Sequence, residues 1–106
     1  MLKSIMNLLG FGPKADYSEL KKNGAIIVDV RSVQEFKGGH IKGSINIPVD
    51  GLRNNLGKLK GKEDTVVITC CASGMRSASA KGILKAKGFK EVHNGGAWIS
   101  LDSKIN

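Results

Sequence analysis

Two adjacent cysteines, Cys70 and Cys71, carry the clearest chemical signal of the sequence, because a glycine and an arginine follow them closely. A thiol between the end of a strand and the start of a helix lies near backbone N–H groups with partial positive charge, which lower its pKa. Gly74 allows the backbone to curl without a Cβ clash, so the N–H groups up to Arg76 converge on one point. The pattern predicts an anion-binding loop that holds an exposed thiolate nucleophile.

The residues on either side of this loop predict the strand and the helix that position it. Val66–Thr69 is a run of mostly β-branched residues, completed by Cys70, and is typical of a buried strand. Ser77–Lys87 is alanine-rich and amphipathic, which favours a helix, and Gly88 follows it where a left-handed residue commonly ends a helix.

The rest of the chain alternates in the same way. Strands are predicted over residues 25–30, 44–47 and 91–93. Helices are predicted over residues 18–22, with Ser18 as cap, and over residues 52–59. A further helix is predicted to start at the capping box Ser32–Glu35 and to end at Gly38. Strands and helices that alternate through short turns form a parallel sheet with helices on both faces, an α/β fold. Ligands of such sheets bind beyond the carboxyl ends of the strands, where Cys71 falls.

Length and charge limit the classes of function. A chain of 106 residues forms one domain with its own core, and the net charge of +8 comes from 17 Lys and Arg against 9 Asp and Glu. The lysines are dispersed and aromatic residues are few, so the charge favours a solvated surface over nucleic-acid binding. Adjacent cysteines are too close for an ordinary structural disulfide, which predicts reduced thiols and a cytoplasmic location.

The first sixteen residues differ from the remainder in composition. Residues 1–9 have apolar side chains at helical spacing, and Gly10, Gly12 and Pro13 then break the pattern. We therefore expect an N-terminal short helix and linker over residues 1–16, which packs on the domain or on a second copy, before a domain over residues 17–106. The apolar stretch is too short to span a bilayer, so we expect no stable membrane insertion, and a monomer or weak dimer.

Four segments together resemble the rhodanese-type sulfurtransferases. Cys71-Ala-Ser-Gly-Met-Arg76-Ser resembles the active loop of that family. In the family pattern, glycine is the third residue after the cysteine, arginine is the fifth, and serine or threonine is the sixth. Asp29-Val-Arg with Glu35-Phe, the segment Gly39–Pro48, and Asn94-Gly-Gly with Trp98 resemble three further family elements, in order, over residues 17–101. The resemblance implies a rhodanese-like three-layer domain with a central, mainly parallel five-stranded sheet and helices on both faces.

The resemblance also implies a reaction and a set of site residues. Sulfane sulfur passes from thiosulfate or a thiol persulfide to a thiol, cyanide or protein acceptor through a persulfide on Cys71. No cofactor or metal is implied. The anion-binding loop is formed by Ala72, Ser73, Gly74, Met75 and Arg76, with Ser77 starting the helix and Asp29, Arg31 and Glu35 as structural support.

Other interpretations remain open at this point. Five residues separate Cys70 from Arg76, which is the spacing of the tyrosine and dual-specificity phosphatases, so a phosphatase with Cys70 as nucleophile is an alternative. A persulfide carrier or docking module without turnover would have the same loop. Cys70 itself is either a packing residue or a resolving or relay thiol.

Overall fold

The computed structural model describes residues 15–106, which fold into four strands and four α-helices. The strands are β1 (Ile26–Asp29), β2 (Ile45–Asn46), β3 (Val67–Cys71) and β4 (Val92–Ala97). The helices are α1 (Tyr17–Lys22), α2 (Val33–Lys37), α3 (Met75–Ala86) and α4 (Trp98–Ile105), and two 3-10 helices, Val49–Asn54 and Leu56–Leu59, separate β2 from β3. The expected N-terminal helix over residues 1–9 lies outside the described residues.

The sheet is parallel throughout, with the strand order β2-β1-β3-β4, as the alternation of strands and helices predicts. Within residues 15–106 the sheet has four strands, one fewer than the five-stranded sheet that the resemblance implies. The predicted helix over residues 52–59 is replaced by the two 3-10 helices. Gly51, Gly57 and neighbouring asparagines in this segment have poor helix propensity, which explains why no regular helix forms.

Successive side chains of β3 point to opposite faces of the sheet, so the two cysteines belong to different parts of the core. Cys71 packs in the cluster under α3 and the 3-10 helices, whose other buried members are Val28, Val30, Ile47, Leu52, Leu59, Val67, Ala80, Leu84, Phe89 and Val92. Cys70 packs in the cluster under α1 and α4, with Ala25, Ile27, Ile41, Ile68 and Leu101. Both thiols are buried and neither is in a disulfide.

Side-chain caps fix where the first two helices begin. The capping box predicted at Ser32 and Glu35 is present, with each side chain accepting a hydrogen bond from the backbone N–H of the other. The predicted cap at Ser18 is wrong, because the carboxylate of Asp16 accepts from Glu19 N at 3.1 Å and α1 starts one residue before Ser18. Aspartate is as good a cap as serine, and Asp16 lies directly before the first residue of α1.

The end of the chain holds more regular structure than expected. The predicted three-residue strand runs on through both glycines as β4, and α4 follows it directly without having been predicted. Gly95 is needed there because a Cβ on it would lie 2.8 Å from Ile68 and from Leu101 and 2.9 Å from a backbone oxygen of β3. The glycine thus lets α4 pack closely on the sheet beside the end of β3.

Candidate active site

The thiol of Cys71 lies at the carboxyl end of β3 and accepts backbone hydrogen bonds from the segment that follows it. Its Sγ is 2.9 Å from Gly74 N and 3.3 Å from Ser77 N. Helix α3 starts at Met75, two residues earlier than predicted, so these N–H groups belong to its cap and first turn, where no helical carbonyl accepts them. The loop amides therefore converge on the sulfur of residue 71.

The conformation of Gly74 makes this geometry accessible. Its φ of 100° lies in the left-handed region, and it is the residue that caps α3. A Cβ at this position would approach the Cα of Gly96 in β4 to 3.3 Å, so space is also restricted. Both constraints require glycine.

We expect Gly74→Ala to lower the rate of any reaction of the Cys71 thiolate by about tenfold or more, since the left-handed strain of about 1–2 kcal/mol displaces the amide that donates to the sulfur. Alkylation of the protein by iodoacetamide at neutral pH, with peptide mapping to Cys71, measures this directly. Gly82→Ala on α3 is the matched control, because a Cβ there meets no neighbouring atom. An unchanged rate in Gly74→Ala would contradict the role of the loop conformation.

The environment of Cys71 favours its thiolate. Burial raises the pKa of Cys71, but backbone hydrogen bonds from Ser77, Gly74 and Ser73 outweigh it and lower the pKa below its usual value. The expectation of an exposed thiolate is wrong, because the residue has 0% of its surface exposed. The core cluster under α3 surrounds the side chain, and Gly74 N and Ser77 N approach its sulfur from the loop.

A pH profile tests this balance. Because the pKa of Cys71 is lowered, its alkylation rate is expected to reach its plateau at a lower pH than that of a free thiol. Ser77→Ala removes the hydroxyl that donates to Gly74 O and to Asn94 and so holds the loop amides at the sulfur; the midpoint is therefore expected to move to higher pH and the rate at neutral pH to fall about tenfold. Ser79→Ala, an exposed serine on the same helix, is the control and should keep the midpoint. A midpoint that also stays in place in Ser77→Ala would contradict the assignment.

Arg76 turns its guanidinium towards α2. Its two terminal nitrogens donate to the two carboxylate oxygens of Glu35 at 2.7 and 3.0 Å. The hydrogen bond from Arg76, together with those from Ser32, lowers the pKa of Glu35 to about 2. In return Glu35 raises the pKa of Arg76, with a smaller contribution from the charge of Cys71. The pair ties the first turn of α3 to α2 and fixes the position of the guanidinium, whose charge interacts with that of Cys71.

Asp29 and Arg31 form a buried ion pair at the end of β1. The carboxylate accepts from the guanidinium at 2.7 Å and from Arg31 N at 3.0 Å, and the side chains are 0% and 5% exposed. Arg31 also donates to Gly39 O at 2.6 Å and lies 4.7 Å from the centre of the Trp98 ring. These contacts join β1, the turn after α2 and the start of α4, in agreement with a structural role.

Asn94 in β4 is part of the loop network, although the sequence did not single it out as a site residue. Its amide nitrogen donates to Gly74 O at 3.3 Å, and its Oδ1 accepts from Gly96 N at 3.0 Å and from the hydroxyl of Ser77. Tyr17 donates to its backbone oxygen at 3.1 Å. The Asn94-Gly-Gly segment resembles a family element, which marks the residue in the sequence. Only the folded sheet shows that its side chain lies beside the Cys71 loop.

Comparison with known proteins identifies the family of this chain. The rhodanese-like domain matches residues 14–96. The chain belongs to the rhodanese-like domain family. The α/β fold with a parallel sheet flanked by helices is the rhodanese fold, and the resemblance found in the sequence motifs is confirmed.

Several relatives of this rhodanese-like domain are known. YibN of Escherichia coli strain K12 is 38% identical over 74 residues, which cover 69% of this chain and 52% of YibN. Thiosulfate sulfurtransferase GlpE of Ectopseudomonas mendocina is 37% identical over 76 residues, which cover 72% of this chain and 68% of GlpE. A structure of an Escherichia coli rhodanese with anions superposes with a TM-score of 0.66 at 28% identity, over 72% of this chain and 89% of that one. The chain thus spans about half the length of YibN.

Cys70 occupies the position just before the loop of this rhodanese-like domain. Its side chain is fully buried on the sheet face opposite Cys71, and burial raises its pKa to about 12. A thiol with so high a pKa is protonated at neutral pH and reacts slowly. The geometry therefore favours packing over a resolving or relay role for this cysteine.

Within residues 15–106, no helix combines the length and the apolar character needed to cross a membrane.

Proposed function

We propose that the chain is a sulfurtransferase that moves sulfane sulfur from thiosulfate or a persulfide donor to a nucleophilic acceptor through a persulfide on Cys71. The observation that carries the proposal is the convergence of Gly74 N and Ser77 N on the Cys71 sulfur, at 2.9 and 3.3 Å. Membership of the rhodanese-like domain family and the similarity to GlpE, a thiosulfate sulfurtransferase, support it.

The reaction has two displacement steps at sulfur. In the first, the Cys71 thiolate attacks the outer sulfur of thiosulfate, the new S–S bond forms, and sulfite leaves with the electron pair of the broken S–S bond. In the second, an acceptor such as cyanide or a thiolate attacks the terminal sulfur of the persulfide, and the Cys71 thiolate leaves. Cyanide becomes thiocyanate, and the protein returns to its starting state.

The loop amides act on the charge of the intermediates. The N–H groups of Gly74 and Ser77 point to Sγ, so they stabilise the Cys71 thiolate that attacks in the first step and the same thiolate as it leaves in the second. The guanidinium of Arg76 is held by Glu35, so it orders the first turn of the helix that follows the loop. Because Cys71 has no exposed surface, the residues above it have to shift before a donor reaches the sulfur.

Mass spectrometry of the intact protein tests the proposal. Protein incubated with thiosulfate is expected to gain the mass of one sulfur atom, located on Cys71 by peptide mapping, and to lose it when cyanide is added. A protein that takes up no sulfur from thiosulfate or from glutathione persulfide, or takes it up on Cys70 instead, would overturn the proposal. Repeated turnover of thiosulfate and cyanide separates the enzyme from a persulfide carrier, which has the same loop but is loaded by a partner.

The phosphatase alternative loses its geometric support. It needs amide groups around the sulfur of Cys70, whereas the amides of the loop point to Cys71 and the two sulfurs lie on opposite faces of the sheet. Hydrolysis of p-nitrophenyl phosphate is therefore not expected.

A further inference from the structure

Three large apolar side chains in residues 15–106 are exposed, and all three surround the same edge of the sheet. They are Val33, Met75 and Ile99, with 50%, 79% and 68% of their surface accessible. Each lies in the first turn of a helix that directly follows a strand: α2 after β1, α3 after β3 and α4 after β4. Since the strands are parallel, these three turns lie at the carboxyl edge, where Cys71 is. We call these three residues the apolar rim.

The rim continues into a groove beside the site. Val33 belongs to the rim and also lines an open groove of about 510 Å³ between α2 and the first 3-10 helix. Phe36, Ile47 and Pro48 contribute further apolar surface to the groove. On the other side, α2 is joined to the loop by the ion pair between Glu35 and Arg76. The groove, with Val33 at its margin, is thus joined by this ion pair to the helix turn that carries Met75.

The charge of the groove is positive. Lys37 and Lys58 line it, and its remaining lining residues are uncharged. Glu35 on α2 is paired with Arg76, and the first 3-10 helix carries one negative and one positive residue, Asp50 and Arg53. The Lys58 ammonium is held at the groove by a hydrogen bond to Asn46 O at 3.1 Å. A second copy of this chain, with a net charge of +8, would be repelled by this surface, whereas an acidic partner would be attracted.

We propose that the rim and the groove together form the docking surface for an acidic protein partner that presents a cysteine next to apolar residues and exchanges sulfur with Cys71. The inference rests on the proposed function, because it names the partner class of the same site. It accounts for the uncharged Met75 at the mouth of the loop and for the buried thiol, since apolar contacts of the partner at the rim are available to hold the loop open. The partner's thiolate takes the terminal sulfur of the Cys71 persulfide, or its persulfide supplies that sulfur to the Cys71 thiolate; in both directions one S–S bond forms as another breaks.

A synthetic peptide provides the probe. It carries a single cysteine between leucines and several glutamates, with a fluorescent label, and its affinity for the full chain is measured by fluorescence anisotropy without any sulfur donor. Val33→Ser is expected to weaken binding about fivefold through loss of apolar contact, and Lys37→Glu with Lys58→Glu about tenfold or more. Transfer of sulfur from the persulfide form of the protein to the peptide should fall in parallel, while transfer to cyanide is unchanged.

A matched pair of variants separates docking from general attraction. Lys85→Glu with Lys87→Glu makes the same change of charge at the far end of α3, at the opposite edge of the sheet, and should leave the affinity within about twofold if the groove is specific. The proposal would be overturned if both pairs of lysine substitutions weakened peptide binding equally. It would also be overturned if a peptide with serines in place of the leucines bound equally well, or if the protein associated with itself through the rim. Because binding is measured without sulfur, failure to dock is distinguishable from failure of Cys71 to form a persulfide.

Discussion

Replacing Cys71 with serine is expected to lower the rate of sulfur transfer from thiosulfate to cyanide by at least about 10³-fold. The serine hydroxyl is not ionised at neutral pH and forms no persulfide, so the first displacement has no nucleophile. The fold should be kept, because the hydroxyl is smaller than the thiol and still accepts hydrogen bonds from Gly74 N and Ser77 N. The measurement is thiocyanate formation, together with the mass of the protein after thiosulfate.

Cys70→Ala is the matched control for this substitution. It removes the neighbouring thiol from the cluster under α1 and α4 and leaves the loop amides around Cys71 unchanged. We expect it to keep transfer within about threefold of the unaltered chain, with a modest loss of stability from the lost packing. A collapse of transfer in Cys70→Ala with transfer retained in Cys71→Ser would reverse the assignment of the nucleophile.

The largest effect on stability is expected for Asp29→Asn. This substitution leaves the Arg31 guanidinium almost completely buried without its counter-charge, and breaking a buried pair in this way costs about 3–5 kcal/mol of unfolding free energy. Urea unfolding followed by circular dichroism measures it. Replacing both partners, Asp29→Leu with Arg31→Met, should restore part of the loss, since no unpaired charge then remains inside.

Glu35→Gln provides the comparison at a second ion pair. Glu35 and Arg76 are more than a third exposed, so solvent screens their interaction and the change in unfolding free energy should be much smaller than for Asp29→Asn. If Glu35→Gln and Asp29→Asn lower the unfolding free energy equally, the assignment of different roles to the buried pair Asp29–Arg31 and the exposed pair Glu35–Arg76 is wrong.

The sequence predicted the central unit well because local and tertiary signals agree there. The β-branched residues of β3, the cap at Ser32 and the glycine that ends α3 each act over a few residues, and the structure has them at or near the expected positions. The start of α3 was wrong by two residues because a left-handed glycine caps a helix without the side-chain hydrogen bond that a sequence pattern reveals.

Other features depend on contacts that the sequence does not display. The burial of Cys71 follows from its packing in the cluster under α3, and the role of Asn94 follows from the pairing of β3 with β4 in the folded sheet. The helix α4 was missed because its eight residues follow a glycine-rich strand without a capping side chain. The alternation along β3 predicts that the two cysteines lie on opposite faces of the sheet. Only the packing of the helices shows that Cys71 lies on the face covered by α3 and Cys70 on the face covered by α1 and α4.

The placement of the two thiols on opposite sides of the sheet has a consequence for oxidative stress. An oxidant that converts the Cys71 thiolate to a sulfenic acid leaves it without an internal thiol to condense with, since the chain contains no cysteine besides Cys70, which lies behind β3. Recovery of the reduced state then depends on small thiols or reductases from the surroundings, and prolonged exposure to peroxide carries the sulfur on to irreversible sulfinic and sulfonic acids.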